Sequence, residues 1–215
     1  MDEFLTIALP KGRLGKVAYE RFKQAGMLVS FEKDSRRLVF IDSKNNMRFL
    51  FVKPVDVITY VTNKVADIGI VGKDQIIEEQ AAIYELMDLA FGKCRFAIAG
   101  FEGTPILRQN GVLRIATKYP VITRNYFKQK NQNIEIIPLS GSVELAPLVG
   151  LSDCIVDIVE TGKTLKENGL NVLEEMFEVS ARLISNRVSY RFKNQEILSL
   201  VERLNQSKES SYEDD

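Results

Sequence analysis

The stretch from Glu144 to Leu165 limits the possible folds of this 215-residue chain more than any other. Its apolar run Cys154–Val159 predicts a buried strand, and a polar turn containing Gly162 follows that run directly. Leu165 then begins a predicted helix. A strand, a short turn and a helix in this order are the unit of α/β folds, so we expect a sheet covered by helices.

The turn after this strand also predicts an anion-binding site. Backbone N–H groups at a helix start lack partners, and the helix dipole adds partial positive charge there. Thr161 and Thr164 add hydroxyl donors, while Gly162 lets the backbone approach a ligand closely. Asp157 lies where the strand meets the turn, beside the expected anion. A phosphate with neighbouring sugar hydroxyls would use all of these groups, and the alternative is an ordinary turn capped by Thr.

The ending Gly162-Lys163-Thr164 also suggests the phosphate-binding P-loop of many kinases. That loop needs a further Gly five residues before Gly162, and Asp157 stands there instead. A carboxylate at this place would repel a triphosphate, so the P-loop is the weaker interpretation. The run Gly72-Lys73-Asp74 fails the same test, because Asp67 occupies the glycine position and Asp74 replaces Ser or Thr.

A longer pattern resembles the signature of the ATP phosphoribosyltransferase family, which performs the first step of histidine biosynthesis. Its positions are Glu144, Gly150, Ser152, Ile155, Asp157, Ile158, Thr161, Gly162, Thr164 and Leu165. The resemblance extends from Leu5 to about Tyr190 and includes the runs 9–14 and 67–74. The chain resembles the short form of the family, which lacks a C-terminal regulatory domain.

The fold expected from both the pattern and the resemblance is α/β, with two lobes of mainly parallel sheets. The family resembles type II periplasmic binding proteins, with the active-site cleft between the lobes. Lobe I would contain residues 1–90 and 176–215, and lobe II residues 91–175 with the phosphate loop. Predicted strands cover residues 4–9, 37–42, 47–52, 67–71, 93–100, 113–117, 134–139, 154–159 and 177–185. Predicted helices cover residues 13–25, 121–130, 144–149 and 195–204, and others begin at Pro54, Asp74 and Leu165.

Two expectations concern the end of the chain. The strand 177–185 should return to the first sheet, and the last helix should bury Ile197, Leu198 and Val201 on one face. Residues 207–215 are polar and acidic, so we expect a frayed tail.

A second group of candidate residues follows other predicted strands, where ligands gather in parallel sheets. Lys11 and Arg13 flank Gly12 after the first strand, and two cations there suit a pyrophosphate or triphosphate. The alternative is a solvated helix start, although cations there oppose the helix dipole. Lys53 has the same placement after strand 47–52.

The resemblance favours a nucleotide-binding wall made of Val71, Gly72, Lys73 and Asp74. Asp67, at the start of that strand, could equally serve as a structural cap. The basic residues Arg114, Lys118 and Arg124 are each better interpreted as surface charges.

Composition excludes several kinds of chemistry. The chain has no histidine, so His-based triads, general bases and metal ligands are excluded. Lys plus Arg and Asp plus Glu both number 29, which gives no charge signal for nucleic acid or an anionic membrane. Cys94 and Cys154 lie in apolar runs and indicate reduced thiols in a cytoplasmic protein. The acidic start Met1-Asp2-Glu3 is unlike a secretion signal.

The resemblance also implies a reaction, in which N1 of ATP joins C1 of phosphoribosyl pyrophosphate (PRPP) and pyrophosphate leaves. Asp157, Arg13 and Lys11 would be the catalytic residues, and Mg²⁺ would arrive with the substrate without an assigned protein ligand. PRPP would contact Glu144, Asp157, Glu160, Thr161, Gly162, Lys163 and Thr164. ATP or pyrophosphate would contact Lys11, Gly12, Arg13, Lys53, Val71, Gly72, Lys73 and Asp74.

The short form implies a partner as well, namely a regulatory subunit resembling the catalytic core of histidyl-tRNA synthetase, in a hetero-oligomer. Two other functions remain open at this point. A two-lobed solute-binding protein without catalysis would share the fold, and a P-loop-like kinase would share the Gly162-Lys163-Thr164 turn.

Overall fold

The computed structural model describes residues 4–27, 37–107 and 111–209, with side chains up to residue 206. The chain forms two compact units. Unit 1 contains Met1–Ile76, Gln80–Gly92 and Ser180–Asp215, and unit 2 contains Ile77–Glu79 and Lys93–Val179. The lobe limits given above stay a prediction, because compactness alone does not establish a domain that folds independently.

The helices and strands alternate along most of the chain. The strands are β1 Leu5–Pro10, β2 Val39–Asp42, β3 Met47–Val52, β4 Ile68–Gly72, β5 Ile83–Asp88, β6 Cys94–Gly100, β7 Leu113–Thr117, β8 Ile134–Pro138, β9 Cys154–Val159, β10 Asn171–Val179 and β11 Ala181–Asn186. The helices are α1 Arg13–Gln24, α2 Val57–Thr62, α3 Lys73–Glu79, α4 Pro120–Gln129, α5 Leu145–Leu148, α6 Lys163–Glu167, α7 Arg187–Phe192 and α8 Asn194–Glu209, and a 3₁₀ turn spans Pro54–Asp56. Among these helices none is long and apolar enough to cross a membrane.

The sheet of unit 1 has the strand order β2-β3-β1-β4-β11-β5. The neighbours β3, β1 and β4 run parallel, while the outer pairings are antiparallel. All six residues of β1 are buried, as expected for a central strand with both faces covered. The register pairs Pro10 with Val52, so β1 and β3 end side by side.

The sheet of unit 2 has the order β10-β6-β9-β7-β8. Here β9, β7 and β8 run parallel, so their carboxyl ends meet at one edge. Side chains of β6 alternate between two apolar clusters: Phe96 and Ile98 pack in one, and Ala97 and Ala99 in the other. Both faces of this sheet are therefore covered. The predicted α/β fold with two sheets is confirmed, and the parallel pairing lies in the centre of one sheet and at one side of the other.

Two strands differ from the prediction. The run 177–185 is not one strand: β10 ends at Val179 in the second sheet, and β11 begins at Ala181 in the first. Val179 and Ala181 are both buried, so the apolar pattern continues through the change of sheet and hides it. Sequence reasoning also missed β5, whose acidic side chains Glu85 and Asp88 are matched by Arg182 of β11.

Helices α6 and α8 also differ from the prediction. Helix α6 begins at Lys163, two residues before the predicted start. In α8 the buried residues are Ile197, Leu200 and Leu204, at helical spacing, whereas Leu198 is 44% exposed and does not belong to the buried face. The helix continues to Glu209, through the beginning of the predicted tail. Residues 210–215 lie outside the described part of the chain.

Candidate functional site

A cavity of about 380 Å³ lies in unit 2 at the carboxyl ends of β7, β8 and β9. The residues that line it are Lys118, Ser142, Glu144, Ile155, Asp157, Ile158, Val159, Glu160, Thr161, Gly162, Lys163, Thr164 and Leu165. All seven residues that the sequence suggested for PRPP are among them. The structure thus brings the turn after β9 together with Glu144, which comes from the segment after β8.

The loop from Glu160 to Gly162 is shaped by one glycine. Gly162 precedes α6 with φ 72°, in the left-handed region that side chains rarely adopt. A Cβ there would meet only Val159 Cγ1, at 3.7 Å, so backbone shape and not lack of space requires glycine. Thr161 Oγ1 accepts a long hydrogen bond of 3.4 Å from the Lys163 N–H. Because α6 has only five residues, the nearby N–H and hydroxyl groups matter more than its dipole.

Two carboxylates lie in the same cavity. Asp157 is half-buried on β9, and its Oδ1 accepts a hydrogen bond of 2.9 Å from the Ile158 N–H, which holds the carboxylate close to the strand. Glu144 precedes the four-residue helix α5 and makes no capping hydrogen bond with its side chain. Helix capping therefore does not account for Glu144, and its place at the cavity suits a ligand hydroxyl.

Sequence reasoning missed Lys118 and Ser142 as cavity residues. Lys118 directly follows β7, and Ser142 lies between β8 and Glu144 with a φ of 46°. The rule that ligands gather at the carboxyl ends of parallel strands would have selected Lys118, as it selected Lys11 and Lys53. The rule could be applied to Lys118 only once the structure showed that β7 pairs in parallel with both β8 and β9.

In unit 1 the cationic candidates meet at the ends of β1 and β3. The Lys11 N–H donates a 2.7 Å hydrogen bond to the Val52 carbonyl, and this bond brings the backbones of Lys11 and Lys53 close together. Lys11, Gly12, Arg13 and Lys53 are all exposed. These cations and Gly12 therefore share one exposed edge of the first sheet.

The candidate wall at the end of β4 is only partly accessible. Val71 is 1% exposed and packs in the core, and Asp74 is buried. A Cβ on Gly72 would lie 2.0 Å from Asp74 Oδ1, so a side chain at this position would force the Asp74 carboxylate to move. The Lys73 ammonium forms an ion pair with Glu85, which a ligand phosphate would have to replace.

Asp67, whose role the sequence left open, is a structural residue. Its Oδ2 accepts hydrogen bonds from the Thr6 N–H at 2.8 Å and from Lys193 Nζ at 2.7 Å. Its Oδ1 accepts a third from Ser189 Oγ at 2.5 Å. The buried carboxylate thereby ties β1 and β4 to α7 and the residue that follows it.

Other charged side chains of unit 2 form structural pairs. Arg114 donates to Asp153 at 3.0 Å, and this hydrogen bond raises the pKa of the guanidinium. Burial raises the pKa of the Glu174 carboxyl, but hydrogen bonds from Lys130 and Tyr126 outweigh burial and lower the pKa below its ordinary value. Neither group lines the cavity; their hydrogen bonds join separate segments of unit 2.

Comparison with known proteins identifies the family. The family model described as ATP phosphoribosyltransferase matches residues 53–206. The chain is 55% identical, over 199 residues, to the ATP phosphoribosyltransferase of Clostridioides difficile (strain 630), covering 93% of this chain and 96% of the relative. It is 50% identical to that of Geobacillus sp. (strain WCH70), covering 94% and 98%. The chain belongs to the ATP phosphoribosyltransferase family.

A solved structure agrees with this assignment. A chain of the "ATP phosphoribosyl transferase (HisG:HisZ) complex from Thermotoga maritima" superposes with a TM-score of 0.82 at 40% identity, covering 96% of this chain and 100% of that one. As an ATP phosphoribosyltransferase, the protein transfers the phosphoribosyl group of PRPP to ATP in the first step of histidine biosynthesis. The alternatives of a solute-binding protein and a P-loop-like kinase are therefore set aside.

Proposed function

We propose that the cavity of unit 2 is the PRPP site of this phosphoribosyltransferase. The 5′-phosphate is held by the N–H groups of residues 160–164 and by the hydroxyls of Thr161 and Thr164, while Asp157 and Glu144 accept hydrogen bonds from ribose hydroxyls. The supporting observation is that the loop, two threonines and two carboxylates line one cavity of about 380 Å³. Together they match a phosphate beside a diol.

The reaction that the family resemblance implies is compatible with that placement. The electron pair on N1 of ATP forms the bond to C1 of the ribose, and the bond from C1 to the pyrophosphate oxygen breaks with its electron pair. Positive charge develops at the ribose in the transition state, and the Asp157 carboxylate stabilises it there. No covalent intermediate with the protein is required, so positioning and charge supply the catalysis.

We assign the cationic edge of unit 1 to the phosphates. Lys11 and Arg13, with the Gly12 backbone between them, bind pyrophosphate or the ATP phosphates, and Lys53 supports them. Gly72 and Lys73 form the accessible part of a nucleotide-binding surface. Val71 and Asp74 are buried behind it and do not contact the ligand. Lys11, Arg13 and Lys53 carry three positive charges toward ligands that are strongly anionic.

Magnesium would arrive with PRPP. Among the described residues no three carboxylate or thiol side chains are grouped as a metal site, whereas single carboxylates such as Asp157 line the cavity. A lone carboxylate suits contact with the water shell of a substrate-bound Mg²⁺. The ion would neutralise charge on the pyrophosphate leaving group.

Replacing Thr161 or Thr164 by Ala tests the phosphate loop. Each change removes a hydrogen bond to a charged group, worth about 1.5–3 kcal/mol, or roughly a tenfold to hundredfold rise in the KM for PRPP. The phosphate is bound in ground and transition states alike, so kcat should fall less than KM rises. Steady-state kinetics with PRPP varied would measure both constants. Thr59→Ala, an exposed change on α2 outside the cavity, is the matched control; unchanged KM in both loop variants would remove the loop from the site.

We further propose that the chain works in the cytoplasm with a regulatory subunit. The Thermotoga maritima neighbour is part of a HisG:HisZ complex, and Cys154 is buried in an apolar strand, which suits a reduced cysteine. The partner, expected to resemble the catalytic core of histidyl-tRNA synthetase, would bring histidine feedback and support activity.

The partner proposal predicts a difference between two assays. Pyrophosphate release from ATP and PRPP should be slow or insensitive to histidine with this chain alone, and faster and inhibited by histidine after the partner is added. The control replaces the partner by an equal mass of albumin. Full activity that histidine inhibits without any second protein would contradict the proposal.

A further inference from the structure

Lys118 is the cavity cation to which the proposed function gives no role. It is exposed, directly follows β7, and lines the cavity together with the turn after β9. Within the described part of the chain its ammonium has neither a hydrogen-bond nor an ion-pair partner, in contrast to Lys130 and Arg114 of the same unit. A ligand phosphate would therefore displace no protein partner.

The residues on both sides of Lys118 are fixed by buried hydroxyls. Thr117 Oγ1 donates to the Val156 carbonyl at 2.7 Å and accepts from the Tyr119 N–H at 2.9 Å. Thr123 Oγ1 donates to the Tyr119 carbonyl at 2.8 Å. Thr117 and Thr123 are fully buried. The backbone at Lys118 is thus held beside the residue that precedes Asp157, so a ligand would order only the lysine side chain.

Backbone donors at the start of α4 are already used. Pro120 stands at its first position and has no N–H. The N–H groups of Val121 and Ile122 donate to the two carboxylate oxygens of Glu78 at 2.9 and 3.0 Å. A phosphate near the start of α4 could not use these N–H groups, because the Glu78 carboxylate already accepts their hydrogen bonds. Beside β7, the ammonium of Lys118 is a donor that no described residue occupies.

The charges that line the cavity also favour a role for Lys118 in binding an anion. Its lining carries three carboxylates, Glu144, Asp157 and Glu160, and two ammonium groups, Lys118 and Lys163. The side chain of Lys163 is 79% exposed and lies 3.7 Å from Glu167 on its own helix. Lys118 is therefore the cation best placed to offset the negative lining when an anionic substrate enters.

We propose that Lys118 Nζ binds a phosphate oxygen of PRPP in this cavity. The inference rests on the proposed function of the cavity and adds a binding residue to it. The shared chemistry is a phosphate oxygen, which PRPP carries both in its 5′-phosphate and in its pyrophosphate group. Lysine suits either, because its ammonium donates three hydrogen bonds without a fixed plane.

The test is calorimetric titration of PRPP into the wild type, Lys118→Met, Lys118→Arg and the control Lys128→Met. Lys128 is exposed on α4 and lies outside the cavity lining, so its variant removes an equal charge from the same unit. Lys118→Met should weaken PRPP binding by about tenfold to a hundredfold. Lys118→Arg should stay within about tenfold of the wild type, and Lys128→Met should match the wild type. Equal affinity of Lys118→Met and the wild type, with circular dichroism confirming that both are folded, overturns the inference.

Two smaller ligands, titrated into Lys118→Met and the wild type, show which phosphate group of PRPP Lys118 contacts. Weakened binding of ribose 5-phosphate alone assigns Lys118 to the 5′-phosphate, and weakened binding of inorganic pyrophosphate alone assigns it to the leaving group. Unchanged binding of both overturns the inference. Thr161→Ala, titrated in parallel, separates this inference from the proposed site. A loss of PRPP affinity in Thr161→Ala but not in Lys118→Met rejects Lys118 and keeps the cavity, whereas no loss in either rejects both.

Discussion

An Asp157→Asn variant is expected to fold normally and to lose about a hundredfold in kcat. The amide keeps the size of the side chain, and its oxygen still accepts the hydrogen bond from the Ile158 N–H that holds Asp157 at 2.9 Å. The negative charge disappears where the ribose becomes cationic. Since charge develops mainly in the transition state, the KM for PRPP should change less than kcat.

Initial rates at saturating ATP and PRPP would measure this loss. Glu167→Gln removes a carboxylate from α6 outside the cavity lining, and is expected to retain wild-type kcat with a matched loss of charge. Melting temperatures of both variants show whether the fold is intact. A kcat for Asp157→Asn within about threefold of the wild type would show that the carboxylate is structural and has no part in stabilising the ribose.

The second large effect concerns stability. Replacing Asp67 by Ala should lower the free energy of unfolding by about 3–5 kcal/mol, the usual cost of breaking a buried ion pair by removing one partner. The change leaves the Lys193 ammonium, the Thr6 N–H and the Ser189 hydroxyl without their shared acceptor. Lys193 Nζ keeps one hydrogen bond, to the Phe4 carbonyl at 2.8 Å.

Urea unfolding of Asp67→Ala, Lys193→Met and the double variant gives the comparison. The double variant should lose less than the sum of the single losses, because neither charge is then left buried alone. Glu167→Ala serves as the control: it breaks the exposed pair with Lys163 and should change stability by less than about 0.5 kcal/mol. A loss below about 1 kcal/mol in Asp67→Ala would contradict the structural role of Asp67.

The turn after β9 was predictable from sequence as a strand, a glycine turn and a helix start because all of that information is local, while its role in binding phosphate stays a prediction. The apolar run of β9 ends at the turn, and Gly162, Thr161 and Thr164 lie within a few residues of that end. Asp67 shows the opposite case. Its partner Lys193 is 126 positions away in sequence, so the choice between a ligand role and a structural role needed the folded chain.

Lys118 was passed over for a related reason. A single exposed lysine after a strand resembles many surface lysines, and only the order β9-β7-β8 places this one beside Asp157 and Gly162. The passage from β10 to β11 was missed because no Gly, Pro or Asn marks the change of sheet; Ser180 alone separates two apolar segments. Val71 was chosen for its position at a strand end, but its side chain belongs to the core.

A crystal structure of the protein with PRPP bound is the most direct test of the cavity in unit 2 as the PRPP site. If PRPP binds in this cavity, its 5′-phosphate oxygens should lie within about 2.7–3.2 Å of backbone nitrogens in residues 160–164 and near the hydroxyls of Thr161 and Thr164. Asp157 should lie beside the ribose. A 5′-phosphate bound at Lys11 and Arg13, with the cavity after β9 holding only water, would contradict it.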